Sequence, residues 1–219
     1  MKITDERTQV FLRSFDEGDP PFLEEIAAKA VSEGVPIIRR DTRSFIRTLL
    51  RIKVPENILE VGTAVGFSAI LFTVYGPAGM KVDTIENDGE RIVKARENIR
   101  LSGREDQISI LEGDAGEILR GLTGRYDLIF MDAAKAQYIY WLPDILRLLS
   151  PGGILLSDNV LQEGDIIESH YLVERRNRTI YKRMREYLYS ITHHPELTTS
   201  ILPVGDGLAL SVKKENRQE

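Results

Sequence analysis

Cysteine is absent from this 219-residue sequence. That absence excludes a disulfide framework, thiolate metal sites and a cysteine nucleophile, so any metal here must be held by oxygen or by histidine. Histidine is scarce as well, with only His170, His193 and His194. None stands at a metal-ligand spacing or beside a candidate nucleophile, and the run His193-His194-Pro195 is expected to end a helix. No apolar run approaches the length of a membrane-spanning helix, and the mixed-charge start MKITDERTQVFLRSFDEGD lacks the apolar centre of a signal peptide. A cytoplasmic protein with no membrane partner is therefore expected. Positive charge is in deficit: the net charge is −5 and the pI near 5.4. This disfavours a globally basic nucleic-acid binder and gives no reason to expect DNA as a partner, while leaving a local basic patch open.

The hydrophobic share of 42% is enough for one sizeable core in a chain of this length. A single domain over residues 1–219 is expected, with an N-terminal helical extension over 1–54 and an α/β core over 55–219. Apolar residues recur at helical spacing through about 5–16, 22–33 and 41–52, with Pro20-Pro21 and Val35-Pro36 as punctuation. From Asn57 strand and helix alternate. ILEV precedes a helix from about Phe67, KVDTIE one from about Glu90, and QISILEG a short one after Asp114. YDLIFMD and GILLSD follow as buried apolar runs, with a helical stretch around Tyr140–Leu149 between them and Pro151-Gly152-Gly153 as a tight turn into the latter. Such runs suit a mostly parallel sheet covered on both faces. The last two, TTSILPV and GLALSVKK, are joined by Gly205-Asp206-Gly207, too short a link for a parallel crossover, so an antiparallel hairpin closes a seven-stranded sheet.

The sharpest polar signals follow these strands: Glu60-Val61-Gly62-Thr63-Ala64-Val65-Gly66, then Glu86, Asp114, Asp132 and Asp158-Asn159. In an open parallel sheet the carboxyl ends of the strands form one rim, and ligands bind in the crevice above it. Gly62 and Gly66 let the chain turn tightly and bring backbone N–H groups near a ligand. The dinucleotide pattern would need glycine at position 64, where alanine stands, so pyrophosphate binding is disfavoured. Glu86 lies 20 residues beyond Gly66, where an acid accepts hydrogen bonds from ribose hydroxyls. Together they indicate a nucleoside without pyrophosphate; the plainer reading is a tight turn and a solvent-facing glutamate.

ILEVGTAVGFSA and TIE resemble the first two motifs of the class I S-adenosylmethionine-dependent methyltransferases, which have a Rossmann-like fold. GTAVGFSA, FMDAAKAQY and SDNVL are similar to the metal-dependent O-methyltransferases that include the caffeoyl-CoA and catechol enzymes. The resemblance implies that Glu86 holds the cofactor ribose, that Asp114 and Ala115 contact adenine, that Gly62 and Ser68 line the methionine end, and that Ile38 closes over the cofactor. Asp132, Asp158 and Asn159 offer two carboxylates and an amide oxygen, hard ligands suited to magnesium or another divalent cation. Taken singly, acids at strand ends are more often helix caps or turn residues. A cation held there would lower the pKa of an acceptor hydroxyl. Asp132 then belongs to both the cofactor and catalytic sets, and Lys135 is a candidate general base or a positive charge for the oxyanion. Tyr138 and Trp141 are candidates for the acceptor pocket, with core packing favoured for Trp141.

Between Val173 and Tyr187, Arg175, Arg176, Arg178, Lys182, Arg183 and Arg185 face only Glu174 and Glu186. By base rate this is a solvated helix face, and the alternative is a contact for RNA phosphates. VPII, ERRNR, HHPE and ILPVGDGLALS add a resemblance to the bacterial branch that methylates 5-hydroxyuridine in tRNA. That implies a tRNA substrate contacted by Arg175, Arg176, Arg178 and Lys213-Lys214, with the 5-hydroxyl and 4-carbonyl of the base mimicking a catechol, and a homodimer joined through the N-terminal helices. The other expectations are a small-molecule catechol or caffeoyl-CoA-type O-methyltransferase and, outside enzymes, a nucleotide- or RNA-binding module on the same fold.

Overall fold

A computed structural model of the chain describes residues 6–169 and 171–215. Asp5, at the start of the first expected helix, and His170 lie outside the described residues. Three helices precede the sheet: α1 (Glu6–Arg13), α2 (Pro21–Ser32) and α3 (Arg40–Lys53). Pro21 opens α2 at a position where a missing N–H costs nothing. Arg43 and Arg47 of α3 both reach Asp19, tying the extension to the linker before α2.

Strand and helix then alternate as β1 (Asn57–Val61), α4 (Phe67–Tyr75), β2 (Lys81–Glu86), α5 (Gly89–Leu101), β3 (Ile108–Glu112), α6 (Ala115–Gly121), β4 (Tyr126–Met131), α7 (Tyr138–Leu148) and β5 (Leu149–Ser157). α8 (Arg178–Thr192), β6 (Leu197–Leu202) and β7 (Leu208–Lys213) complete the order. The seven strands form one sheet ordered β3-β2-β1-β4-β5-β7-β6. All pairings are parallel except β5 with β7 and β6 with β7, so the expected C-terminal hairpin is present. β5 departs from expectation at its start. Its ladder on β4 begins at Leu149 and slips between Tyr126 and Leu128, so Pro151-Gly152-Gly153 forms an irregularity inside the strand. Gly152, at φ +69, takes the left-handed turn there.

The period-two alternation of the buried strands distributes two cores across the sheet. Ile58, Leu128, Phe130, Ile154 and Leu156 pack with α2, α3 and α4 on one face. Leu59, Ile129, Met131 and Leu155 pack with α7 and α8 on the other. Strand order reverses between β1 and β4, because β2 lies to one side of β1 and β4 to the other. The loops after β1 and β4 therefore diverge and leave a crevice at their carboxyl ends.

Candidate active site

The ladders continue one residue past the strands at this crevice, which explains why distant acids converge. The Asp132 N–H donates to Val61 O at 3.0 Å and the Asp158 N–H to Met131 O at 2.9 Å. Each acid is thus fastened to the end of the neighbouring strand. Gly62 closes the arrangement from the other side. At φ +107, a Cβ there would collide with the carbonyl oxygen of Asp132 and lie 2.9 Å from its carbonyl carbon. Only glycine permits this approach of the two loops.

Glu86 is 7% exposed, which removes the solvent-facing reading. Its Oε2 accepts from Ala64 N at 2.9 Å, and its Oε1 from Asn87 N and Asp88 N at 2.9 and 3.1 Å. The carboxylate thereby pins the glycine loop, and Ala64 is held at φ 47 in the left-handed conformation a glycine would adopt more readily. Asp114 caps α6 by accepting from Glu117 N at 3.0 Å.

Asp158 is 2% exposed, and Lys135 Nζ donates to Asp132 Oδ1 at 2.6 Å and to Tyr138 Oη at 3.2 Å. Burial, reinforced by the charge of Asp132, raises the pKa of Asp158. Burial opposes the charge of Lys135, but Tyr138, Asp132 and Asp158 outweigh it and raise its pKa, so the ammonium keeps its proton. Tyr138 is fully buried and does not line the cavity, contrary to expectation. It donates to Met131 O at 2.8 Å and accepts from Lys135 and from Ala133 N, so it holds the β4 loop from beneath. Trp141 corrects the other way. Half-buried, it packs on the core beneath α7 and also lines the cavity beside Gly116.

One cavity of about 920 Å³ is lined by Ile38, Gly62, Ser68, Glu86, Asp114 and Ala115, and also by Asp132, Lys135, Asp158 and Asn159. Every residue singled out for cofactor or metal thus shares a single space. Among the described residues no group of three His, Cys, Asp or Glu side chains is arranged to hold a metal. A cation would therefore depend on the amide oxygen of Asn159 beside the two carboxylates, an all-oxygen set with positions left for water or substrate. Mutual repulsion of two carboxylates, relieved in part by the charge of Lys135 and by the Asn159 N–H that donates to Asp158 Oδ1 at 2.7 Å, is the electrostatic condition that a bound cation would ease.

A model of a protein family described as O-methyltransferase matches residues 14–214. The chain belongs to the O-methyltransferase family. It is 31% identical over 211 residues to a catechol O-methyltransferase of Mycobacterium tuberculosis, covering 92% of this chain and 93% of that protein. A catechol O-methyltransferase of Niastella koreensis is 30% identical over 179 residues, covering 78% and 79%. Among solved structures, the SAH-bound Podospora anserina methyltransferase PaMTH1 superposes with a TM-score of 0.86 at 26% identity, covering 96% of this chain and 95% of that one.

In this O-methyltransferase the basic segment divides by what each side chain touches. Arg178 donates to Val173 O at 3.3 Å, Arg185 to Ile166 O at 2.9 Å and Arg183 to Ala136 O at 3.4 Å. Arg178 and Arg185 tether the segment between β5 and α8 and Arg183 reaches the loop between β4 and α7, which accounts for part of the cluster without RNA. Arg176, 81% exposed at its side chain, pairs with Glu174, and Arg175 has no ion-pair partner among the described residues. Lys213 and Lys214 are likewise occupied: Lys213 donates to Leu146 O and Leu149 O, and Lys214 to Pro195 O. Arg175, Arg176 and Lys182, the last 3.9 Å from Glu186, remain as exposed cations. His193 caps the end of α8 and stacks on Tyr189, as a helix-ending residue should.

Glu60 stands among the polar signals of the sequence without a role assigned to it. Its place on β1 puts it on the same face as Ile58, fully buried, with Oε2 accepting from Thr84 Oγ1 at 2.5 Å and Oε1 without a hydrogen-bond partner among the described residues. An acid inside a buried strand was itself the available signal. Burial pushes its pKa up to about 8, although the hydroxyls of Ser68 and Thr84 nearby work against the rise. A carboxyl titrating higher in the folded than in the unfolded chain stabilises below its unfolded pKa, and that stability is lost as pH rises through about 8. Glu60→Gln should therefore flatten the fall in ligand-free thermal stability between about pH 5 and 8. An unchanged slope in thermal unfolding across that range would show that Glu60 does not titrate there.

Proposed function

We propose that this O-methyltransferase uses S-adenosylmethionine and a divalent cation, magnesium, to methylate the 5-hydroxyl of 5-hydroxyuridine at the tRNA wobble position. The observation that carries the chemistry is the sharing of one cavity by the glycine loop, Glu86, Asp132, Lys135, Asp158 and Asn159. When bound, the cofactor supplies an electrophilic methyl group, and the cation lowers the pKa of the acceptor hydroxyl and holds it in place. Glu86 has acceptor capacity left beyond its three backbone N–H partners for ribose hydroxyls, and Asp114 and Ala115 flank the adenine end. Ile38, 4% exposed, closes the cavity from the segment before α3. Asp132, Asp158 and Asn159 are the cation ligands. Lys135, kept protonated at Nζ, acts as a fixed positive charge beside the acceptor oxygen; this favours electrostatic stabilisation over general-base catalysis.

The tRNA acceptor is supported by the resemblance over nearly the whole chain and by the exposed cations of Arg175 and Arg176. A small phenolic acceptor is the second reading, favoured by the names of the relatives that match most of the chain. Replacing Arg175 and Arg176 together by alanine separates the two. On the RNA reading, tRNA binding weakens and the slope of log affinity against log salt drops by about two contacts' worth. An unchanged slope, with catechol turnover matching that on tRNA, would favour the small-molecule reading. A homodimer is proposed as well, with α1 and the turn after it as interface, because Val10, Phe11 and Leu12 of α1 and Phe15 just beyond it are all more than half exposed.

A further inference from the structure

The Gly205-Asp206-Gly207 turn between β6 and β7 carries more structure than a hairpin requires. Three of the residues that follow Asp158, namely Asn159, Gln162 and Glu163, adopt positive φ values of 55, 49 and 53 without being glycine. Such a run persists only where its surroundings impose it. The surroundings here are the turn. Val160 N donates to Gly207 O at 3.0 Å, Leu161 N to Asp206 O at 3.1 Å, and Glu163 N to the Asp206 carboxylate at 2.6 Å. Gly207, at φ +86, lies so near Leu161 that a Cβ would sit 2.8 Å from that residue's own Cβ. Asp206 is 5% exposed, and it lines the same cavity as Asp158 and Asn159.

We propose that Asp206 is a positioning residue for the cation ligands: through Glu163 N it holds the 159–164 loop, in which Asn159, Gln162 and Glu163 are left-handed, in the path that presents Asn159 to the cavity. The inference rests on the cation reading of Asp132, Asp158 and Asn159. The role belongs to the hydrogen bond and its placement. Burial raises the pKa of Asp206, while the Glu163 N–H and the nearby Arg39 guanidinium work against the rise. Arg39 also pairs with the Glu163 side chain at 3.2 Å, but that pair is exposed and contributes little.

The test measures Mn²⁺ binding to the full chain, with S-adenosylmethionine binding and thermal unfolding recorded on the same samples. Asp206→Ala is expected to raise the Mn²⁺ dissociation constant by about 10- to 100-fold, the range seen when groups behind metal ligands are removed, with cofactor affinity unchanged. Asp206→Glu keeps the charge but displaces the accepting oxygen, so it should weaken Mn²⁺ binding in the same direction and provides a second probe if the alanine variant folds poorly. Asp206→Asn keeps an acceptor oxygen in place and should restore near-wild-type binding. Wild-type affinity in both Asp206→Ala and Asp206→Glu would overturn the proposal, as would an asparagine variant as weak as alanine. If the unmodified chain binds cofactor but no Mn²⁺, the cation reading itself falls and takes this inference with it. That outcome is recognised from the wild-type sample alone.

Discussion

Asp158→Ala is expected to lower magnesium-dependent methyl transfer by at least about 100-fold while leaving S-adenosylmethionine binding close to that of the wild type. Asp158 contributes a buried carboxylate just past β5, whereas the residues proposed for the ribose and adenine, Glu86, Asp114 and Ala115, lie at the ends of β2 and β3. On the proposed reading, loss of the side chain removes a cation ligand without touching the ribose or adenine residues. The same group sets a pH dependence. Burial and the neighbouring Asp132 raise its pKa, and a cation needs the ionised form, so protons compete with metal. Apparent cation affinity should strengthen as pH rises through the raised pKa of Asp158, and this part of the slope should vanish in Asp158→Ala. Equal turnover with and without the side chain would remove Asp158 from the metal set.

Gly62→Ala should be the most damaging single methyl addition in the protein. The residue sits at φ +107, where an L side chain is strained, and the new Cβ would meet main-chain atoms of Asp132 that cannot rotate away. Strain and overpacking together should cost about 2–5 kcal/mol. Any relaxation must push the β1 loop away from Asp132, so cofactor affinity should fall along with stability. Gly89→Ala is the matched control. It lies at the start of α5 at an ordinary φ with nothing within 4 Å of its added Cβ, and should change stability by no more than about 0.5 kcal/mol. Thermal unfolding and cofactor titration of the two variants give the comparison, and equal behaviour would contradict the close approach of the two loops.

The architecture was legible because each strand of the parallel core is a short apolar run closed by an acid or, after β1, by a glycine loop, and because the link at Gly205-Asp206-Gly207 admits only a hairpin. The convergence of Glu86, Asp114, Asp132 and Asp158 followed from the same logic, since the rim of a parallel sheet gathers whatever follows its strands. What escaped notice depends on contacts between residues far apart in sequence. Tyr138 has the spacing of a pocket-lining side chain, yet its hydroxyl is engaged by Met131, Ala133 and Lys135 in the interior. The arginines of α8 count as surface charge in a linear sequence, but Arg178 and Arg185 serve as donors to the carbonyls of Val173 and Ile166. Asp206 and Glu163 are 43 residues apart, and no periodicity marks their pairing. The start of β5 was missed for a local reason, because a Pro-Gly-Gly run signals a turn and the register slip on β4 absorbs it into the strand.

The measurement closest to the central claim is transfer of labelled methyl from S-adenosylmethionine to tRNA containing 5-hydroxyuridine, with and without Mg²⁺, alongside catechol as a competing acceptor. Label that depends on Mg²⁺ and is confined to the 5-hydroxyuridine nucleoside is the predicted result. Label that persists in full after chelation of divalent cations would contradict the metal-centred account, and label on catechol alone would replace the tRNA acceptor with a small phenol.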